Sequence, residues 1–183
     1  MICTGGQLRP PVFGLHAYRR RGGQDGRKDC DTPRRWRRIF PPFSRCTASW
    51  TALWLRCSRS FFCEGPREED EIRKAIRADD ADFLLAERGG AVVGFALVGY
   101  AGWTPEFSCV LPHRYARLED LAVDEAVRGQ GVGGELLAAA KRWARNRRLE
   151  YLELNVLAQN ENAIRLYESQ DFVEATKVMR CML

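Results

Sequence analysis

The stretch that most restricts how this chain can fold is Leu118-Glu119-Asp120-Leu121-Ala122-Val123, followed by residues 124–127 and then Arg128-Gly129-Gln130-Gly131-Val132-Gly133-Gly134. The first six residues read as a strand. Val132, Leu136, Leu137, Ala140, Trp143 and Ala144 recur at the spacing of one buried helix face. Arg145, Arg147 and Arg148 suit that helix's negative C-terminal end. Glycines between a strand and a helix let the backbone come close to a ligand. The helix's first turn then offers unpaired N–H groups at the positive end of its dipole, which makes an anion site. Arg128 adds a cation beside it, and pyrophosphate is the natural guest. The plainer reading is that the glycines only make a tight turn.

Gly129, Gly131 and Gly134 also satisfy G-x-G-x-x-G, with Glu150 about 20 residues on, as in a dinucleotide site. That reading is disfavoured. A dinucleotide fold places its glycines directly after the strand, whereas residues 124–128 intervene here, and too little chain follows to build a doubly wound sheet.

The rest of the chain divides in two. Residues 1–63 carry 13 Lys+Arg against 3 Asp+Glu, and the remaining residues carry 16 against 21. The overall net charge of +5 is thus a property of the N-terminal third, and residues 64–183 are mildly acidic. The basic segment holds Pro33-Arg34-Arg35-Trp36-Arg37-Arg38 and shows no steady period of 2 or 3.6. It reads as a poorly structured extension, with weak signals for a strand over 12–18 and a helix over 48–62. Its arginines and aromatics also suit a nucleic-acid-binding arm, and its shortage of acidic residues resembles a transit peptide. Disorder by composition weighs more than either.

From residue 66 the texture is globular. Pro66 and the acidic run Glu68, Glu69, Asp70 and Glu71 start a helix that reaches about residue 78. A hairpin follows over 83–100 around Gly89-Gly90, then a loop over 102–113 containing Pro105 and Pro112. A strand over 115–123, a helix over 131–147, a strand over 150–157 and a short helix over 160–169 come next. Residues 172–182 are expected as one or two closing strands.

Five of the seven cysteines precede residue 64, none at C-x-x-C spacing, so neither a metal site nor a disulfide framework is indicated. Reduced thiols in a cytoplasmic protein are the expectation. No apolar run reaches the roughly 18–20 residues of a membrane span.

At this point Val123, Arg128, Gly131 and Gly133 resemble the acetyl-CoA signature of the GNAT acetyltransferase superfamily, Val-x4-Arg/Gln-x-x-Gly-x-Gly/Ala. A second block of that family follows in order: Tyr151-Leu-Glu-Leu-Asn-Val156, Asn160-x-x-Ala163-x-x-Leu166-Tyr167, and Phe172. The resemblance implies an α+β fold, a mixed and mostly antiparallel sheet flanked by helices, whose central strands splay to admit acetyl-CoA. It implies that backbone groups of Leu121, Ala122 and Val123 bond the pantetheine arm. Arg128 and the amides of Gly129, Gln130, Gly131, Val132, Gly133 and Gly134 would hold the pyrophosphate, with Asn160 on the pantetheine side. Asp171 stands where the family usually has glycine, a position that often needs a left-handed backbone; Asp tolerates it better than most residues. The family's first strand and helix form a wall of the acceptor pocket, and nothing in residues 1–63 clearly supplies them.

Acetyl transfer needs a neutral amine. An alkylamine is mostly protonated at pH 7, and reaching its neutral form costs about 4–5 kcal/mol. A carboxylate base relieves this. Glu119 matches the family position that often does so, with Asp120 expected on the opposite side of the strand as a structural residue. The competing reading of Glu119 is an ordinary surface carboxylate. Tyr167 matches the family tyrosine that protonates the leaving thiolate; its competing reading is a core aromatic. Direct attack needs no enzyme nucleophile, so Cys109 and Cys181 are expected as small buried residues. His113 is expected as a solvated loop histidine.

The favoured function is therefore an acetyl-CoA-dependent N-acetyltransferase acting on a small-molecule amine without a metal. A protein-lysine or N-terminal acetyltransferase, a non-catalytic CoA-binding module, and a nucleic-acid binder led by the basic arm stand as alternatives. Association of two copies is left open.

Overall fold

The computed structural model describes residues 14–19, 28–29, 80–103, 109 and 111–181. The helices expected over 48–62 and 66–78 lie outside the described residues. Strands β1 (Gly14–Arg19), β2 (Lys28–Asp29), β3 (Ala81–Arg88), β4 (Ala91–Trp103), β5 (His113–Val123) and β6 (Leu152–Leu154) join in the order β2-β1-β3-β4-β5-β6. The pairs β1–β3, β3–β4 and β4–β5 are antiparallel, and β1–β2 and β5–β6 are parallel. The weak strand signal over 12–18 corresponds to β1, which the basic segment contributes to the sheet.

The β3–β4 hairpin turns at Gly89 and Gly90, both with positive φ. Two helices follow β5: α1 (Val132–Asn146) and α2 (Glu161–Glu168). The helix expected over 131–147 is α1, less one residue at each end. On α1, Val132, Leu136, Leu137, Ala140, Trp143 and Ala144 are buried. They pack with Leu84, Ala86, Ala96, Val98, Ala116 and Leu118 of the sheet in one core cluster. Each large apolar side chain removed from water this way contributes about 1.5–3 kcal/mol. The other sheet face is also apolar: Phe83, Leu85, Phe95 and Leu97 are buried.

A buried carboxylate ties the far end of α1 to β3. Asp82, 1% exposed, accepts from the Trp143 indole N–H at 2.6 Å and from Arg147 at 2.9 Å. The Arg147 guanidinium lies 3.8 Å from the Trp143 ring centroid.

Two expectations need correction. The strand expected over 150–157 shortens to Leu152–Leu154. Residues 172–181 form no strand, with Val173 86% and Met179 86% exposed. A strand exists only where a ladder partner satisfies its backbone, and β6 pairs only with β5 among the described residues.

Candidate functional site

The site begins where β5 and β6 part. Their register is Ala116↔Leu152, Arg117↔Glu153 and Leu118↔Leu154, and it stops there. β5 continues along β4 as far as Val123, paired with Gly94. From residue 119 to 123, β5 therefore has β4 on one side and, among the described residues, no strand on the other. The Asp124 N–H donates to the Val93 carbonyl at 2.8 Å, so Asp124 turns toward β4. By strand alternation Ala122 turns the same way, and Leu121 and Val123 aim their backbone groups at the open side. The Val123 carbonyl accepts from Arg128 Nε at 3.2 Å. Of the three residues expected along the pantetheine arm, Leu121 and Val123 thus stand on the open edge, with the Val123 carbonyl taken by Arg128, and Ala122 engages the β4 ladder.

A bulge lies at the same point of β5. The β4–β5 register shifts between Leu97 and Val98, which pair with Asp120 and Leu118, leaving Glu119 as the extra residue of a bulge. The simple alternation expected between Glu119 and Asp120 is broken there. Glu119 is exposed, whereas Asp120 faces Leu97 and is 5% exposed. Glu119 stands immediately past the last β5–β6 pair, at the fork.

Beyond Val123 the chain makes a short 3-10 turn, Glu125–Val127, capped by Asp124, whose side chain accepts from the Ala126 N–H. Gly129 and Gly131 then take φ of 75° and 87°, in the left-handed region. An added Cβ at either would meet nothing within 4 Å, so glycine is there for its backbone conformation and leaves the approach clear. Gly131 is the N-cap of α1 and gives it no side-chain cap. The helix's first backbone bond runs from the Glu135 N–H to the Gly131 carbonyl, so the preceding amides have no intrahelical partner. Arg128 and Gln130 frame the turn. Arg128 lies 3.8 Å from Glu125, and the Gln130 side-chain Oε1 accepts from Arg88 at 2.7 Å.

Gly133 serves differently from what the motif suggests. A Cβ there would stand 3.0 Å from Leu166 Cδ2, so this glycine lets α2 pack closely on the start of α1. A further glycine escapes the sequence reading altogether. A Cβ on Gly94 would meet the Ala122 carbonyl at 3.0 Å, Leu136 at 3.2 Å and Val132 at 3.3 Å. Gly94 keeps β4, β5 and the N-terminus of α1 together, and no motif marks it.

Helix α2 is seated by its own cap. Asn160 accepts from the Ala163 N–H at 3.3 Å through Oδ1, a role the sequence did not assign it. On α2, Leu166 and Tyr167 lean against the core, and Tyr167 meets Phe172 edge-on with centroids 5.9 Å apart. Burial, with the nearby Asp120 carboxylate in second place, pushes the Tyr167 phenol up to about 12. It stays protonated and able to donate throughout the neutral range. Asp171 takes φ of 63°, the left-handed conformation expected of it. The turn is held by Lys141, which donates to the Gln170 carbonyl and lies 5.3 Å from the Phe172 ring.

Two other expectations change. His113 is the first residue of β5, not a loop residue, and its Nδ1 lies 2.6 Å from Glu150. Cys109 and Cys181 are exposed rather than buried; both sit in irregular backbone outside the elements that build the core.

Comparison with known proteins decides the family. A model of the acetyltransferase (GNAT) family matches residues 47–172, well over half of the chain. The chain belongs to that family. A mycothiol acetyltransferase of Acidothermus cellulolyticus is 34% identical over 131 residues, covering 65% of this chain and 40% of that protein. A streptothricin acetyltransferase of Streptomyces lavendulae is 32% identical over 109 residues, covering 60% of this chain and 53% of that protein. The chain thus spans about half the length of these curated relatives or less. Among solved structures, a point mutant of the BH1408 protein of Bacillus halodurans superposes with a TM-score of 0.74 at 18% identity, covering 79% of this chain and 93% of that one. The aminoglycoside N-acetyltransferase AAC(6')-Iy in complex with CoA gives 0.53 at 21% identity, covering 62% and 84%. These likenesses establish the GNAT fold. Among the described residues no helix is long and apolar enough to cross a membrane.

Proposed function

We propose that this protein transfers the acetyl group of acetyl-CoA to a primary amine of a small molecule by direct attack. One observation carries the proposal. The free edge of β5 at Leu121 and Val123 runs straight into a glycine turn and an uncapped helix N-terminus. An extended amide-bearing arm fits the first as an added strand, and a diphosphate fits the second.

The co-substrate supplies an activated acetyl thioester. Gly129, Gln130, Gly131, Val132, Gly133 and Gly134 hold the pyrophosphate by backbone amides, with Arg128 released from Val123 to join them. Asn160 keeps the start of α2 beside the pantetheine. Glu119, at the fork, accepts the proton that the amine nitrogen gives up as its bond to the acetyl carbon forms. Tyr167 donates its phenolic proton to the sulfur as the carbon–sulfur bond breaks. Relatives named for acting on mycothiol and streptothricin favour a small-molecule acceptor over a protein, and residues 64–183 hold the chemistry.

Thiol release from acetyl-CoA, followed with a panel of polyamines, amino sugars and peptides, tests the reading. Turnover with at least one small amine, slowed in Tyr167→Phe, is the expected result. Binding of acetyl-CoA with no turnover on any amine would leave a passive CoA-binding module in its place.

A further inference from the structure

Lys141 of α1 makes contacts that lie away from the glycine turn and that the acetyl-transfer chemistry does not yet use. Its side chain, 24% exposed, stands 3.7 Å from the Asp171 carboxylate. It donates to the Gln170 carbonyl and lies 5.3 Å from the Phe172 ring centroid. All of these partners belong to the turn that follows α2. That turn closes on Tyr167. The Tyr167 carbonyl accepts from the Gln170 N–H at 2.9 Å and from the Phe172 N–H at 3.1 Å. The Tyr167 and Phe172 rings also meet edge-on at 5.9 Å. Lys141 thus grips both of the residues whose amides bond to Tyr167.

These contacts are unequal. The Asp171 side chain is 98% exposed, so water screens its pairing with Lys141 and the pair holds little. The bond to the Gln170 carbonyl is charge-assisted, and the ammonium against the Phe172 ring is a cation–π contact between partly buried groups. A methionine could fill the same space against Phe172, but only a donor can hold the Gln170 carbonyl. The ammonium also sits just past the C-terminus of α2, where a helix leaves its last carbonyls unpaired. A helix as short as Glu161–Glu168 needs tertiary contacts to keep its place. It has the Asn160 cap at its start and the Leu166 contact with Gly133 further on. At its end it has Lys141. Helix α1 therefore holds α2 at two places, with Tyr167 between them in the chain.

We propose that Lys141 is a positioning residue for acetyl transfer, fixing through Gln170 and Phe172 the direction in which the Tyr167 hydroxyl points. The inference rests on the reading of Tyr167 as proton donor to the leaving sulfur. A proton reaches sulfur as the carbon–sulfur bond breaks only across a short, aligned contact, and a phenol that swings delivers it less often. Burial already keeps the phenol protonated. Lys141 adds aim. Asp171 serves the same turn through its left-handed backbone, φ 63°, rather than through its exposed charge.

The test measures thiol release from acetyl-CoA by the full chain, with whichever polyamine, amino sugar or peptide turns over fastest, and CoA affinity by calorimetry. Lys141→Met should lower kcat by about tenfold, with KM for acetyl-CoA and CoA affinity within about twofold of the wild type. Lys141→Arg, which keeps a donor and a cation at the same ring, should recover kcat to within about threefold. In a Tyr167→Phe background, Lys141→Met should cost less than about twofold, because no hydroxyl is left to aim. An unchanged kcat in Lys141→Met, or the same loss in both backgrounds, overturns the inference while leaving acetyl transfer intact. Wild-type kcat in Tyr167→Phe overturns the donor role itself, and the part given to Lys141 with it. Absence of turnover with every amine overturns the transfer reading as a whole. Should Lys141→Met lose its fold by circular dichroism, Phe172→Leu, which removes the ring and keeps apolar volume, decides: it must show the same loss of kcat and the same dependence on Tyr167.

Discussion

Leu166 of α2 stands 3.0 Å from the point where a Cβ on Gly133 of α1 would lie. The two helices therefore meet at van der Waals contact beside the glycine turn, and Tyr167, the next residue, takes its position from that contact. An alanine at 133 asks Leu166 to give by a few tenths of an ångström, and a valine asks for more. Gly133→Ala should leave kcat within about threefold, and Gly133→Val should lower it by about tenfold or more, in keeping with the cost of overpacking a tight contact. Steady-state kinetics on both variants checks this. A valine variant as active as the wild type would contradict the role given to the contact.

Asp82 anchors α1 to β3 far from the turn. Removing its carboxylate strands the Trp143 N–H and part of Arg147. Asp82→Ala should destabilise the fold by about 3 kcal/mol or more. Chemical denaturation gives the number, and the CoA affinity of whatever remains folded should be close to that of the wild type.

The Tyr167 phenol is pushed up to about 12, mainly by burial. The sign follows. Between its ordinary value and about 12 the unfolded chain loses this proton while the folded chain keeps it. The contribution is complete below the ordinary value and fades as pH rises through the folded one. Wild-type stability should therefore fall between about pH 10 and pH 12, and Tyr167→Phe should flatten that part of the curve. Denaturant midpoints over this pH range test it, with the same variant losing thiol-release activity at neutral pH.

Gly129 and Gly131 hold left-handed backbone with open space around their missing Cβ atoms. Alanine at either costs about 1–2 kcal/mol of conformational strain. Stability should fall modestly and CoA affinity further, because the strained turn no longer presents its amides together. Thermal melts with and without CoA separate the two effects.

The site was more legible in the sequence than its supports. The strand, the glycine turn and the buried face of α1 could be read because alternation, clustered glycines and helical periodicity each leave a local pattern, whereas the roles given to Leu121 and Val123 came with the family resemblance. The bulge at Glu119 could not, since it is a mismatch between β5 and β4 and neither strand shows it alone. For the same reason Gly94 and the split duty of the glycines, Gly131 for backbone and Gly133 for helix contact, emerge only from the packing. His113 misread as a loop because its strand partner, Trp103, is ten residues away across two prolines. Residues 172–181 carry strand-forming side chains but find no ladder partner among the described residues, and composition cannot report a missing neighbour.

The most direct measurement is a calorimetric titration of the full chain with CoA and with pantetheine, which lacks the diphosphate, repeated on Gly131→Val. If amides at the start of α1 grip the diphosphate, CoA binds at least about a hundredfold tighter than pantetheine, and the valine removes most of that difference. Equal affinity for the two compounds, or a valine variant that keeps the full preference for CoA, would contradict it.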